Sequence, residues 1–528
     1  MRLLTPLALL TSGCVISDAE LEARLAEAEP CEVPATWYAD GDGDGDGDPA
    51  DAVVSCDVPS GYVWSAEDCD DTDPAIHPDA EERCDGVDQD CDSEVDEDAA
   101  DAVTAWADAD GDGYGDPADG VTACTTPSGY ADNAEDCDDT DAARYPGAPE
   151  LCGDGVLHDC ARRSEAGLAS FRSAQGVWSA VPEIAAGTAE SIPDWLWPAS
   201  GALYLCADAQ PFYARVDVEN ILLARLVGVT IDDQVATLDG GGEGSVLDVD
   251  NATLEVTDLV LTGGAGEKGG ALDAQGASTI HLTRVAAVDN TALDDDGKGA
   301  GLFIVESTLI ARDLVLTGGH AVKGGGLYAV NAALTLDRVE IAGNVSDTLA
   351  GGLYIDDTVA TVRDCVVSDN TAQDDGAGLR VVNASVLTMA DCTLDANQAL
   401  ADDAEGGALA ARTFGESATP LITITGSTFT NNGAAYGGAV HVRNARVCLV
   451  DSSFTDNVAS LGELDGEGGA VFKSRPETGA AHLALVRCDF ASNTPQDLFE
   501  DLTEGGVPRT LGAGFTGVIV DDGETACE

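Results

Sequence analysis

Between residues 269 and 468 the sequence returns again and again to a short glycine signature, G-[GA]-[GA]-[LV], or AGGL at residue 350. The signatures begin at 269, 299, 324, 350, 376, 406, 437 and 468, an interval of only 25 to 31 residues. A unit that short cannot bury an apolar face by itself, so neighbouring units must supply the other wall. A second marker is an asparagine, at Asn290, Asn344, Asn370, Asn397, Asn432, Asn457 and Asn493. Three residues before these stand Ala287, Ile341, Val367, Leu394, Phe429, Phe454 and Phe490, and five before stand Val285, Val339, Cys365, Cys392, Ser427, Ser452 and Cys488. One column is mostly large and apolar, the other small, and they lie two residues apart, which is the period of a strand with one buried face. Each period is expected to hold a strand ending at an asparagine turn, a glycine turn, and at least one further strand such as GLYIDD or ATVRD. Stacked at about 4.8 Å per coil, about ten coils make a parallel β-solenoid on the order of 50 Å long.

This pattern resembles the pectate-lyase-like right-handed parallel β-helix, and TLDGGG at Thr237 to Gly242 is similar to an early coil of that family. The GGA[LV] elements with FTNN, FTDN and FASN also resemble the repeats of polymorphic outer-membrane proteins, which are adhesin-like. The resemblance supplies the right hand of the helix. The expected fold is all-β: a β-helix over 201–500, a linker and N-terminal cap over 161–200, and a C-terminal cap over 501–528. Cys365 and Cys392 fall in one inward column a coil apart and are expected as buried thiols, because stacked parallel strands rarely offer the dihedral of a disulfide. Cys206 and Cys527 are candidates for tying the two ends into caps.

Ahead of this region lies a different repeat. The segment YADGDGDGDGDPAD, Tyr38 to Asp51, returns 68 residues later as ADADGDGYGDPAD. Cys56, Cys69 and Cys84 recur at the same offset as Cys124, Cys137 and Cys152, as do PSGY and AEDCDDTD. Two tandem modules follow, 36–98 and 99–160. So much like charge in one place repels itself unless a cation neutralises it. An EF-hand-type calcium loop takes oxygen ligands at positions 1, 3, 5, 7, 9 and 12, with glycine at 6. The first copy fits with Asp40, Asp42, Asp44, Asp46 through its carbonyl, Asp48 and Asp51. The second fits with Asp108, Asp110, Asp112, the Tyr114 carbonyl, Asp116 and Asp119. A further cluster, Asp88, Asp90, Asp92 and Asp96, has Ser93 at its turn, whereas its counterpart CGDGVLHDCARR has lost most carboxylates and is expected to bind nothing. The aspartates of DCDDTD, Asp68 to Asp73 and Asp136 to Asp141, are within reach of a shared ion. Oxygen-only ligands select calcium over transition metals.

The flanking helices of an EF-hand are missing, since Pro49, Pro117 and the glycines leave irregular chain. The modules resemble thrombospondin type 3 loops and, more closely, the MopE-type metal-binding repeats of bacterial surface proteins, through W-x-D-x-D-x-D-G, PSGY, DCDDTD and the segment Cys84 to Asp92. That family's label mentions copper, yet His77 and His158 are solitary and no soft ligand cluster accompanies them. With little core in each module, metal and disulfides are expected to supply the stability.

The chain has 97 acidic against 24 basic residues, a formal charge of −73, which makes nucleic acid and anionic membranes poor partners and cations good ones. Its opening, MRLLTPLALLTSGC, reads as an export signal. The ending Thr11-Ser12-Gly13-Cys14 resembles the bacterial lipobox, with Thr11 where leucine is usual, which implies lipidation at Cys14; a plain secretory signal is the alternative. Residues 15–35 read as a charged tether. Sixteen cysteines in an exported chain point to disulfides. Together these describe an exported outer-membrane or cell-surface lipoprotein, or a secreted protein, touching the membrane only through a lipid anchor. Its partners would be calcium ions and a carbohydrate or another surface protein. A calcium-binding stalk would present the β-helix for adhesion or for a structural or ligand-binding role.

The alternative is a polysaccharide lyase or hydrolase acting on acidic carbohydrate, since related β-helices host such enzymes. The carboxylate clusters Asp294 to Asp296, Asp374-Asp375, Asp402-Asp403 with Glu405, and Glu463 to Glu467 all fall in loops along one edge. No GHG motif, matched DD and basic triplet accompany them, lone His320 reads as surface, and no catalytic residue is assigned. Arg312, Arg338, Arg363 and Arg487 recur just before strands and suit pairing with neighbouring acids.

Overall fold

Every regular element among the described residues is a strand. The computed structural model describes residues 33–162, 164–173, 177–181, 185–187, 201–414, 418–459, 468–474 and 482–495, and the backbone of the strands Leu498–Glu500, Arg509–Leu511 and Thr516–Val520. The signal segment with Cys14, the tether up to residue 32, Glu463 to Glu467 and Cys527 lie outside them. The chain divides into two units, Met1–Pro146 and Gly147–Glu528.

The second unit is a β-solenoid. A coil such as Thr308–Thr317, His320–Lys323 and Leu327–Val330 lays one strand in each of three sheets, and the next coil repeats this with Ala333–Ala342, Val345–Leu349 and Leu353–Asp356. Stacking is parallel and in register, with Leu309 beside Leu334, Ala321 beside Ser346 and Leu327 beside Leu353. The first sheet holds the longest strands, the second has 12 strands and the third 7. The two columns read from the sequence do point inward: Ile341, Val367, Leu394, Phe429 and Phe454 are buried beside Val339, Cys365, Cys392, Ser427 and Ser452. Phe429, Phe454 and Phe490 stack one above another, with ring centroids 4.6 and 4.8 Å apart.

The corners explain the sequence markers. The long strands of the first sheet bend once per coil at a residue with positive φ: Asp258, Arg284, Asp313 and Arg338, then Asp364, Asp391, Gly426, Asp451 and Arg487. Ion pairs link several of these corners between coils: Arg284 with Asp258, Arg338 with Asp313, and Arg487 with Asp451. The first signature glycine turns the chain into the second sheet. Gly437 has φ 63°, and a Cβ there would run into the Val440 carbonyl oxygen; one on Gly438 would strike the Gly469 carbonyl of the next coil.

The asparagines do more than turn the chain. Each is buried, and each amide joins a ladder along the stack: Asn397 Oδ1 accepts from Asn370 N (3.2 Å) and Asn370 Nδ2 (3.0 Å), while Asn397 Nδ2 donates to Val367 O (2.9 Å). One cysteine expectation is corrected. Cys365 and Cys392 are bonded to each other, because in-register stacking brings their Cα atoms to 4.5 Å, inside the range a disulfide spans. Cys206 bonds to Cys152 across 54 residues. The described ends of the stack carry antiparallel strands, Ala169–Arg172 on Ala202–Cys206 and Thr516–Val520 on His482–Ala491.

The first unit holds two small antiparallel sheets of three strands each. Ala35–Ala39 is flanked by Ala52–Ser55 and Tyr62–Val63, and Val103–Ala107 by Gly120–Ala123 and Tyr130–Ala131. Each acidic segment is thus the loop of a hairpin, where the sequence suggested irregular chain. Cys69 bonds to Cys91 and Cys84 to Cys124, the latter joining the two copies.

Candidate metal centres

The hairpin decides which aspartates meet. Its loop is closed by backbone bonds: Asp48 N donates to Ala39 O and Ala39 N to Asp51 O, and in the second copy Asp116 N donates to Ala107 O and Ala107 N to Asp119 O. Positions 9 and 12 of the expected loop therefore serve as the base of the hairpin. The side chains of Asp48 and Asp116 accept from Ala50 N and Ala118 N in the following turn, and Asp51 and Asp119 are exposed.

The early positions converge. Oxygens of Asp42, Asp44 and Asp68 lie within 4.8 Å of one another, and so do those of Asp40, Asp42 and Asp71. DCDDTD thus contributes two carboxylates from 24 or more residues away, held in place because Asp71 Oδ1 accepts from Gly41 N (2.7 Å). Asp40 Oδ1 accepts from Gly43 N, folding the loop around the cluster. Of the remaining DCDDTD acids, Asp70 accepts from the Thr72 hydroxyl and Asp73 from Ala75 N. Asp46 accepts a hydrogen bond from Ser65 Oγ; its counterpart Tyr114 stacks on Tyr145 at 5.3 Å.

Three oxygens in this cluster are buried without a hydrogen-bond partner: Asp42 Oδ2, Asp44 Oδ2 and Asp68 Oδ2. The second copy leaves the equivalent atoms in the same state, Asp110 Oδ2, Asp112 Oδ2 and Asp136 Oδ2. Buried carboxylate oxygens are ordinarily satisfied. Burial first, and then the charges of Asp44, Asp42 and Asp71, raise the pKa of Asp68; burial first, then Asp136 among the neighbouring acids, raises that of Asp112. Convergent unpartnered oxygens fit a hard divalent cation, and the sulfurs that lie near Asp136, those of Cys137 and Cys160, are disulfide-bonded and offer no thiolate.

A second cluster forms in the first copy around Asp88, Asp90 and Asp92. Asp88 Oδ2 accepts from Ser93 N at a turn where Ser93 takes φ 78°, and Asp90 Oδ1 accepts from Asp92 N. Asp96 instead accepts from Gly86 N (2.8 Å) and Asp85 N, bracing the loop. The carboxylates that complete this cluster are Glu82 and Glu97, which lie with Asp90 within 4.8 Å. Sequence reasoning missed both. Glu82 orders the loop by accepting from Gln89, Asp90 and Asp96 N, and both oxygens of Glu97 are buried without a partner, as is Asp88 Oδ1. The signal for them was available: Glu150 and Glu165 repeat them at the same offset of 68.

In the counterpart segment Glu150 accepts from His158 N and Asp159 N, while the His158 ring sits 3.7 Å from both Glu150 and Asp154. His77 Nδ1 lies 2.8 Å from Pro78 O, so neither histidine stands in a soft ligand set.

The family model Cu-binding MopE, described as "Putative metal-binding motif", matches residues 68–97 and 136–164. The first match begins at Asp68 and ends at Glu97, so it contains the second cluster whole and two acids of the first, Asp68 and Asp71. No curated protein and no solved structure matches the chain. The chain therefore pairs two metal-binding motif segments with a β-solenoid.

The acidic loops of the solenoid have partners of their own. Asp296 meets Lys298 (2.5 Å) and Lys323 (3.1 Å), and His320 Nε2 lies 2.9 Å from Asp347. Arg312 reaches Asp337 at 3.0 Å.

Proposed function

We propose that this is an exported protein of the cell surface or extracellular space, in which the acidic modules bind calcium and the β-helix serves adhesion or a structural or ligand-binding role. The observation that carries the reading is the repeated trio of buried, unpartnered carboxylate oxygens, Asp42, Asp44 and Asp68 in one copy and Asp110, Asp112 and Asp136 in the other. These residues would hold the ion, with Asp40 and Asp71 beside them in the first copy, and Asp88, Asp90, Glu82 and Glu97 would hold another. Bound calcium would supply the positive charge that lets these acids pack together. Calcium is favoured over copper because the converging donors are carboxylate oxygens. Disulfides throughout the chain support an oxidising, extracytoplasmic setting, and lipidation of Cys14 would provide the anchor.

Calorimetric titration of the chelator-stripped full chain with calcium tests this. At least one calcium per copy is expected, with Asp68→Asn and Asp136→Asn each abolishing one tight site. A stoichiometry below one per copy, or copper displacing calcium at equal concentration, would overturn the reading.

A further inference from the structure

The sheet of the first acidic module carries an apolar face that its repeat does not. In it Val53 lies across from Trp37, and Tyr62 across from Ala39. Trp64 directly follows Val63, the partner of Tyr38, so the same register carried one rung further sets it across from Trp37 on the other side. One face of the sheet thus bears Val53, Trp37, Tyr62 and Trp64. The opposite face packs on the acidic loop: a Cβ on Gly47 would meet Tyr38 Cβ at 2.8 Å and Val63 Cγ2 at 3.0 Å. The strands Ala35–Ala39, Ala52–Ser55 and Tyr62–Val63 hold no charged residue. Trp64 is 80 % exposed and Val53 36 %, while Trp37 is half-buried, its Nε1 donating to Ser55 O at 3.2 Å.

Folding does not account for this face. At the offset of 68, Val53, Trp37 and Trp64 correspond in the second copy to Val121, Ala105 and Asp132. There the same three-stranded sheet forms with Ala105 fully buried and with Asp132 exposed, accepting from the Thr126 hydroxyl. Neither tryptophan is needed to make the sheet, and an indole left in water forgoes the free energy of burial. Apolar groups gathered on one exposed face mark an interaction site. Valine and alanine stand beside the rings and no charged or amide side chain does, unlike a pocket that orients a polar ligand. Tryptophan and tyrosine beside aliphatic groups suit the boundary between lipid headgroups and acyl chains. The place of the module in the chain agrees, since residues 15–32 join it to Cys14, a reach of at most about 65 Å when extended.

We propose that this face of the first module rests on a lipid surface of no net charge, with Trp64 and Val53 entering the headgroup region. The proposal rests on the exported, lipid-anchored reading above and adds a second contact to the anchor. A zwitterionic surface is the match, because the face is uncharged while the chain as a whole, with a formal charge of −73, is repelled by anionic lipid.

The test is co-sedimentation of the calcium-saturated full chain carrying Cys14→Ser, which no lipid can modify, with vesicles of phosphatidylcholine alone. The bound fraction is expected to rise with lipid concentration. Trp64→Asp, which installs the residue of the second copy, should weaken this partition at least about tenfold, a loss of about 1.4 kcal/mol, with the melting temperature unchanged. Trp64→Ser, which adds no charge, should do the same, and Trp64→Phe should retain most of the binding. No partition at several millimolar lipid, equal partition with and without Trp64, or a wild-type dimer that Trp64→Asp dissociates would each overturn the proposal, the last by making a second copy the occupant. Absence of acylation at Cys14 in the native chain would count against the anchor alone, because the Cys14→Ser chain does not use it.

Discussion

Asp273 shows what one position on the outer face of the second sheet does to an acid. Its side chain is 8 % exposed, Asp248 stands beside it in register, and Gln275 Nε2 donates to both of its oxygens at 3.0 Å. Burial first, and then the charge of Asp248, raise its pKa to about 7. The folded protein thus holds this proton more tightly than the unfolded chain, where the group titrates at its ordinary value of 3.8. The resulting stability is present in full at low pH and is lost as pH rises from the unfolded value through about 7. Asp273→Asn cannot make that loss. The variant should match wild type in thermal melting near pH 4 and exceed it at pH 7, and parallel melting curves across that window would contradict the assignment. Cys488 is a simpler case: it is buried, it is free, and burial pushes its thiol pKa up. It should resist alkylation in the native protein and react once the chain is unfolded.

At the scale of the element, the asparagine ladder fixes one coil upon the next. Asn397→Ala would leave Asn370 N and Val367 O buried without their partners. Each such group costs about 1–3 kcal/mol, so denaturant unfolding of the solenoid should show a loss of about 2–5 kcal/mol. A loss under about 0.5 kcal/mol, the scale of a surface substitution, would mean the amide is dispensable. The strands themselves were legible in the sequence, because their alternation is local and repeats with the glycine signature. The inward-facing amides were not, since asparagine is equally a turn residue and only stacking gives its side chain a partner. The bond between Cys365 and Cys392 was missed for a related reason: the inward column was read correctly, but the close approach of neighbouring strands was not weighed against the dihedral. In the acidic modules, spacing brought out Asp40, Asp42 and Asp44. The repeat of DCDDTD also put its acids within reach of a shared ion, but spacing could not reveal that the hairpin would take Asp48 and Asp51 for its base, nor that Asp68 and Asp71 would be the acids of DCDDTD to meet the loop, because spacing along a loop carries no information about contacts formed by the fold.

For the molecule as a whole, the two units differ in what stabilises them. The solenoid has a continuous apolar interior, from Leu203 through Phe490. The first unit has small three-stranded sheets, disulfides and clustered carboxylates. Chelation should therefore lower the melting of the first unit by at least several degrees and leave the solenoid transition where it was, so that calorimetry resolves two events. A single transition indifferent to chelator would contradict this division. The same contrast governs legibility: the apolar rod follows from periodicity alone, whereas the arrangement of the acidic modules depends on long-range pairing and on bound charge that no residue spells out.

The antiparallel strands at the two ends of the stack carry a consequence for life at high concentration. A parallel coil whose last rung is bare offers a row of unsatisfied amides and carbonyls to any similar molecule, and identical rods would add to one another without limit. With Thr516–Val520 laid backward across His482–Ala491, and Ala169–Arg172 across Ala202–Cys206, the first sheet, which carries the longest strands, is left at neither end as a template of the right polarity. Trimming away the final strand would convert a discrete particle into a seed for fibres.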